Sequence, residues 1–172
     1  MFFKDATLKD RRRNMADFFK AADVVAAAVE MEKRGQAVYR RLALQAADKD
    51  VKALFENLAA EEQRHEELFS AMVRRVGQAE LPASSTKDEY SQYMASLLDS
   101  HALFSPGMSD ELFAQAGNLE SAVRGAMKLE KDSMLFFQEM LKVVPQVEHP
   151  RVMECIDEER RHMRQLSSML AK

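Results

Sequence analysis

The sequence has no tryptophan and only one Cys. It also has few of the residues that interrupt regular structure, with four Pro and five Gly among 172 residues. The single cysteine, Cys155, excludes an intrachain disulfide and any metal site built on paired cysteines. The 25 basic and 28 acidic residues give a formal charge of −3, so no basic surface is indicated and nucleic acid is a poor candidate partner. We expect a single domain over residues 1–172, long enough to bury a substantial core.

Long apolar runs are also missing, and no segment is predicted to cross a bilayer. Three arginines at 11–13 precede an apolar stretch, as they do in export signals. Asp17, Lys20 and Asp23 interrupt that stretch, so it reads as the start of a helix. We therefore expect a cytoplasmic protein without a membrane partner.

Helix-forming residues fill the chain between clusters of Gly and Pro at 77–82, 106–107 and 145–150. Nothing alternates with period two over a useful length, which argues against strands. The pattern predicts an all-α four-helix bundle with one long connection, 78–117, that carries a short extra helix. The expected helices are 17–47, 50–76, 87–103, 119–143 and a last one from about 150 almost to the end.

Several residues indicate where these helices begin and end. Asp50 is a candidate N-cap and Gly77 a candidate stop for the second helix. Thr86 and Glu89 have the spacing of a capping box for the short helix. Pro150 suits the first turn of the last helix.

An internal repeat relates the two halves, about 17–76 and 119–171. The stretch "AAEEQRHEELF" (59–69) is followed far downstream by "CIDEERRHMRQL" (155–166), and both contain Glu-Glu-x-x-His. Likewise "AVEMEKRGQAVY" (28–39) is matched by "AMKLEKDSMLFF" (126–137). The offsets are 159 − 62 = 97 and 162 − 65 = 97 for the first pair of stretches, and 130 − 32 = 98 and 137 − 39 = 98 for the second. The chain is therefore two related helical hairpins.

One glutamate in each long helix interrupts the apolar stripe that should face the core. Glu32, for example, shares its face with Val25, Ala28 and Tyr39, at helical spacings of four and seven. By comparison, the helix face that carries Glu30 also carries several charged residues, so Glu30 is predicted to be solvated. The same surface position is expected for Glu56, Glu66, Glu67 and Glu158, and for Glu61, which adjoins the stripe.

Four carboxylates that converge in an apolar core repel one another, and their desolvation adds to the cost. Buried Lys or Arg side chains, or bound cations, can offset this. The core stripes hold no Lys or Arg near these positions, but each half adds a histidine three residues after a glutamate. Such an oxygen-rich set with two imidazoles suits two divalent ions, iron or manganese. The predicted ligands, called the six site residues below, are Glu32, Glu62, His65, Glu130, Glu159 and His162.

At these stretches the sequence resembles the ferritin-like superfamily, and within it the rubrerythrin-like branch. The resemblance rests on "AAVEMEKRGQAVY", "LAAEEQRHEELF", "AMKLEKDSMLFF" and "IDEERRHMRQL", which together span the four long helices. It implies a ferritin-like fold, a site of two iron ions held by the six site residues, and the two-electron reduction of hydrogen peroxide or dioxygen. It also implies a homodimer and a separate electron-donor protein.

The chain departs from that family in three places. It lacks the paired cysteines of a rubredoxin domain, Ser133 stands where an additional Glu is usual, and Phe137 stands where a Tyr is usual. Two other functions stay open: a ferroxidase that handles iron through the same ligands, and a structural bundle without metal. The presence of all six predicted ligands argues against a structural bundle without metal.

Other chemically active residues are interpreted more simply. Tyr39 is a core aromatic whose hydroxyl could bond a nearby carboxylate, with a role in redox or proton delivery as the minority interpretation. Cys155 lies one turn before Glu159 and is interpreted as a small buried hydrophobe. His101 and His149 lie on connecting segments without carboxylates at ligand spacing, so they are not assigned to the site.

Overall fold

The computed structural model describes residues 20–77, 87–104 and 118–171, and these ranges contain helices but no strands. The helices are α1 (Ala21–Gln45), α2 (Lys49–Val76), α3 (Lys87–Ser100), α4 (Leu119–Met140) and α5 (His149–Met169), with a 3₁₀ turn, Gln146–Glu148, before α5. The predicted all-α architecture, with four long helices and a short one in the long connection, is confirmed. In these ranges no helix combines the length and hydrophobicity needed to cross a bilayer.

The four long helices form two hairpins that pack against each other. Helix α1 packs along α2, and α4 packs along α5. Contacts between the hairpins run from α1 to α4 and from α2 to α5. Each long helix therefore turns one face toward the interior of the bundle, and that face carries the core residues.

Aromatic rings fill the core on either side of the bundle centre. Phe69 and Phe137 are fully buried, with ring centroids 5.0 Å apart, and Phe136 packs edge-on against Phe137. Tyr39 stacks on Phe55 at 6.1 Å. Burial of side chains this large contributes about 2–3 kcal/mol each, which holds the helices in a fixed register.

The ends of the helices follow the predicted signals only in part. Gly77 ends α2 with φ of 53°, a left-handed conformation that favours glycine. The N-cap of α2 is Asp48, whose side chain accepts hydrogen bonds from the backbone N–H groups of Asp50 and Val51 at 2.8 and 3.1 Å. The prediction of Asp50 was wrong because Asp50 already lies in the first turn.

Helix α1 is shorter than predicted. Lys20 is extended, with φ of −141°, and the helix begins at Ala21 instead of 17. The carboxylate of Asp23 accepts a hydrogen bond from the Lys20 backbone N–H at 3.1 Å, which satisfies one donor at this end. Thr86, the first residue of the predicted capping box, lies outside the described residues.

The C-terminal end of α3 is tied to both hairpins. The Arg34 guanidinium lies 4.4 Å from the centre of the Phe104 ring and donates a hydrogen bond to the Leu103 carbonyl at 3.1 Å. On the other side, the Asp132 carboxylate of α4 accepts a hydrogen bond from the Ala102 backbone N–H at 3.2 Å. The long connection therefore contributes to the packing around the bundle.

An ion pair between an exposed guanidinium and a buried carboxylate joins the end of α2 to the turn before α5. Arg75 donates two hydrogen bonds to the Glu148 carboxylate, at 2.7 and 3.0 Å, and Arg151 adds a third at 3.3 Å. The hydrogen bonds from Arg75 lower the pKa of Glu148, although burial of the carboxylate opposes this. The charged form of Glu148 is therefore stabilised in the folded protein.

Replacing Glu148 by Gln is expected to lower the free energy of unfolding at pH 7 by about 1–2 kcal/mol, because the variant loses a charge-assisted, two-point contact. Since the folded pKa is lowered, this contribution is present above the carboxyl's ordinary pKa and disappears as the pH falls through the lowered value. Urea unfolding at pH 7 and at acid pH measures both effects. Glu154→Gln, at an exposed position of α5, is the control. An equal loss in both variants would contradict the prediction.

Candidate metal centre

The six site residues lie in the core, and none is more than 5% exposed. Helix α1 supplies Glu32 and α4 supplies Glu130. Helices α2 and α5 each supply a glutamate and, three residues later, a histidine, and that spacing puts both side chains on one helix face. The structure therefore brings together all six residues at the centre of the bundle.

The six residues form two overlapping groups. One consists of Glu32, Glu62, His65 and Glu159, and the other of Glu62, Glu130, Glu159 and His162. In each group, one ligand atom per residue lies within 4.8 Å of all the others. Glu62 and Glu159 belong to both groups, so each could place an oxygen on each of two neighbouring ions.

The hydrogen bonds within the site do not satisfy every buried polar atom. Among the described residues, three buried side-chain atoms lack a hydrogen-bond partner: Glu32 Oε1, His65 Nδ1 and Glu159 Oε1. His65 Nδ1 lies 3.1 Å from Glu159 Oε1 without hydrogen-bond alignment. A buried polar atom without a partner is costly, and a bound ion would satisfy all three. The donor set and these unpartnered atoms fit a site for two metal ions.

The buried carboxylates have strongly shifted pKa values. Burial and the neighbouring Glu62 raise the pKa of Glu32 well above its ordinary value. Burial and Glu159 do the same to Glu130. For Glu159 itself burial is outweighed by hydrogen bonds with Glu130 and His162 and by the nearby His65 ring, and its pKa is lowered. Without metal, part of the site is therefore neutralised by protons.

The two imidazoles hold positive charge in the same cluster. Burial alone would lower their pKa values, but the surrounding carboxylates outweigh it. Hydrogen bonds with Glu130 and Glu159 raise the pKa of His162 to about 11. Contacts with Glu159 and Glu32 raise the pKa of His65 further. Both rings are therefore protonated near neutral pH when no metal is bound.

Metal binding is expected to release protons, because an imidazole nitrogen must lose its proton before it can bind a cation. Below a pH of about 11 for His162, the apparent affinity should rise with pH by about tenfold per pH unit for each proton released. Calorimetric titration in two buffers of different ionisation enthalpy counts the protons. Affinity and heat that depend on neither pH nor buffer would contradict this expectation.

The comparison with known proteins agrees with the geometry. The Rubrerythrin family model matches residues 23–170, which include all six site residues. This chain belongs to the Rubrerythrin family. No curated protein and no solved structure matches it.

The outward-facing nitrogen of each site histidine in this rubrerythrin-family chain contacts a carboxylate from the opposite hairpin. His65 Nε2 lies 2.6 Å from Glu158 Oε2, and His162 Nε2 contacts Glu61 Oε2. The first glutamate of each Glu-Glu-x-x-His motif thus holds the histidine of the other motif. Such contacts fix ring orientation and leave Nδ1 directed at the site.

These contacts correct part of the surface prediction. The side chain of Glu158, predicted to be solvated, is only 15% exposed, and that of Glu61 is 25% exposed. Glu66 is also partly buried and lies 3.7 Å from Lys33. Glu30, Glu56 and Glu67 are exposed as expected.

Two arginines complete this outer layer. Arg64 lies 3.1 Å from Glu61 and 3.8 Å from Glu158, and Arg161 lies 3.4 and 3.3 Å from the same two residues. Arg64 and Arg161 occupy equivalent repeat positions, one residue before each histidine. Both motifs therefore read Glu-Glu-x-Arg-His, a signal that could have identified this layer from the sequence.

Tyr39 and Gly35 on α1 border the site. The Tyr39 hydroxyl donates a hydrogen bond to Glu130 Oε1, the carboxylate contact expected from the sequence. Burial and nearby carboxylates raise the pKa of Tyr39, so it stays protonated and acts as a donor. At Gly35 a Cβ would lie 3.4 Å from Glu62 Cδ, so glycine allows this carboxyl group to approach the helix backbone closely.

The remaining candidates lie beside the site or away from it. Cys155 is buried, and burial raises the pKa of its thiol to about 12, which agrees with its interpretation as a small hydrophobe. His101 is buried, with Nε2 3.4 Å from the Ser133 hydroxyl. His149 lies 3.2 Å from the Val144 carbonyl. Neither histidine belongs to the two ligand groups.

Proposed function

We propose that this rubrerythrin-family chain binds two iron ions through the six site residues and reduces hydrogen peroxide. The observation that carries the proposal is the pair of overlapping buried ligand groups, with three atoms that lack a protein partner. Carboxylates and imidazoles suit ferrous and ferric iron, with manganese as the alternative ion. The family match supports the same chemistry.

Two ferrous ions would supply one electron each, which with two protons reduces one peroxide molecule to two water molecules. The protein's part is to hold and orient the ligands. Glu62 and Glu159 would keep the ions adjacent, and the Tyr39 hydroxyl would hold the Glu130 carboxylate in place. Phe69 and Phe137, which are fully buried, keep bulk water away from one side of the site.

A separate protein would return the electrons, because the single cysteine of these 172 residues cannot form a rubredoxin-type iron site. The homodimer implied by the family resemblance stays a prediction, which sedimentation of the metal-loaded protein tests. Dioxygen is the alternative oxidant.

Anaerobic loading with two equivalents of ferrous iron, followed by one equivalent of peroxide, tests the activity. We expect rapid growth of the near-ultraviolet absorption of ferric iron, complete at one peroxide per two irons. Oxidation no faster than that of the same iron in buffer would overturn the proposal. A parallel reaction with dissolved dioxygen identifies the preferred oxidant.

A variant with Glu62→Ala and Glu159→Ala is the control for iron oxidised outside the site. It removes the two carboxylates shared by both ligand groups. Its iron should react at the rate of free iron. A control with Glu30→Ala and Glu56→Ala, at exposed positions of α1 and α2, should react like the parent protein.

A further inference from the structure

The internal repeat relates the two halves of the metal centre, and one difference between them is a hydroxyl group that contacts a proposed ligand. Tyr39 and Phe137 correspond in the repeat, since 137 − 39 = 98 and 130 − 32 = 98. Tyr39 donates a hydrogen bond to Glu130 Oε1 across the bundle. The corresponding pair on the other side is Phe137 and Glu32, and phenylalanine has no hydroxyl to donate. The oxygen left without a partner there is Glu32 Oε1.

The three unpartnered atoms all belong to members of one ligand group, although one member, Glu159, is shared with the other group. Glu32 Oε1, His65 Nδ1 and Glu159 Oε1 belong to the group that contains His65, which we name the His65 position. The group that contains His162 is the His162 position. There, His162 Nδ1 lies 3.3 Å from Glu130 Oε2 and 3.0 Å from Glu159 Oε2, and both contacts are hydrogen bonds.

This difference affects the free energy gained when a cation binds. At the His65 position an ion would give Glu32 Oε1, a buried oxygen that accepts no hydrogen bond, its first partner, so binding there removes an existing cost. At the His162 position an ion must displace hydrogen bonds that the protein already makes. The same ion is therefore stabilised more at the His65 position.

The number of carboxylate oxygens that are available to an ion also favours the His65 position. The Tyr39 hydroxyl occupies Glu130 Oε1, so Glu130 has only Oε2 to offer to an ion. Neither oxygen of Glu32 is engaged by a hydroxyl, and its Oε2 lies 3.7 Å from His65 Nδ1. Glu32 can therefore bind an ion through one or two oxygens, which favours the His65 position for oxygen-preferring ions.

We propose that the two metal positions fill in a fixed order, with the His65 position first and the His162 position second, and that the Tyr39/Phe137 difference sets this order. The inference rests on the proposed function only in using the same six ligands. It goes beyond that function by stating which of the two ions is held more tightly and which residues determine the difference in affinity. The exchangeable ion is then the one beside His162 and Tyr39.

Anaerobic titration of the metal-free 172-residue chain with Co²⁺ tests the order. Calorimetry and the visible absorption of the bound ion monitor the binding. We expect two steps whose dissociation constants differ by about tenfold, the effect of one hydrogen bond to a charged group. His162→Ala should keep the tighter step and lose the weaker one. His65→Ala should keep only a weaker step.

Exchanging the two aromatic residues supplies the matched control. In a Tyr39→Phe, Phe137→Tyr variant the hydroxyl moves from Glu130 to Glu32, and the order should reverse when the two histidine variants are repeated in this background. Tyr39→Phe alone should tighten the second step and narrow the gap. Circular dichroism checks folding, and if the exchanged variant does not fold, the histidine variants alone decide the order.

Each outcome separates this inference from the proposed function. Two indistinguishable steps, or a tighter step that survives His65→Ala and disappears in His162→Ala, would overturn the order while leaving the iron chemistry intact. Ordered Co²⁺ binding together with no reaction towards peroxide would support the order and overturn the function. Failure to bind Co²⁺ at all would overturn both.

Discussion

Replacing both Glu62 and Glu159 by Ala is expected to abolish binding of both metal ions. These two residues are the members common to the two ligand groups. Losing a partner outside the ligand set already costs about 10–100-fold in metal affinity, and losing two charged ligands costs more. Metal content measured after purification with iron supplied should fall from two ions per chain to none detectable.

The same variant should also change stability in a diagnostic way. Its metal-free form should unfold at a lower temperature than the metal-free parent, since the hydrogen bond between Glu159 and His162 is lost and two buried side chains are replaced by cavities. Adding metal should raise the unfolding temperature of the parent only, by the linkage of binding to folding; an ion present at 100 times its dissociation constant adds about 2.7 kcal/mol. A variant that retains both ions would refute the assignment of Glu62 and Glu159.

The second large effect is expected from carboxylates that are not proposed ligands. Replacing Glu61 and Glu158 by Ala removes the partners of His162 Nε2 and His65 Nε2. The rings then lose the contact that fixes their orientation, and metal affinity should fall by about 10–100-fold with two ions still bound at saturation. Competition with a chelator of known affinity measures the change.

The control for that experiment uses two carboxylates on α2, the helix that carries Glu61. Glu56→Ala and Glu67→Ala remove exposed carboxylates of α2, so they change the net charge equally without touching a histidine. Their affinity should stay within about twofold of the parent, the size of ordinary surface effects. Equal losses in the two double variants would show that long-range charge matters and that ring orientation does not.

The position of the six site residues follows from local periodicity, which explains why the sequence was sufficient to predict it. A helix repeats every 3.6 residues, so a glutamate within an apolar stripe must face the core wherever the helices pack. Glu32 and Glu130, one per hairpin, are both buried. The equal offsets of the repeat then bring the two hairpins into register at the same level of the bundle.

The role of Glu158 could not be predicted in that way. On its own helix it lies beside the stripe and reads as a surface residue, but its partner His65 is 93 residues earlier in the chain. Contacts between helices depend on crossing geometry, which periodicity does not specify. The N-cap of α2 was predicted wrongly for a related reason. Asp48 and Asp50 are chemically identical, and only the backbone conformation selects Asp48.

Neither hairpin contains a complete ligand group. The His65 position takes Glu159 from the second hairpin, and the His162 position takes Glu62 from the first. A bound ion is therefore a cross-link between the two halves of the chain, made without a covalent bond. If the two hairpins separate, both positions lose a ligand at once, so retention of the ions reports directly on whether the two halves remain assembled.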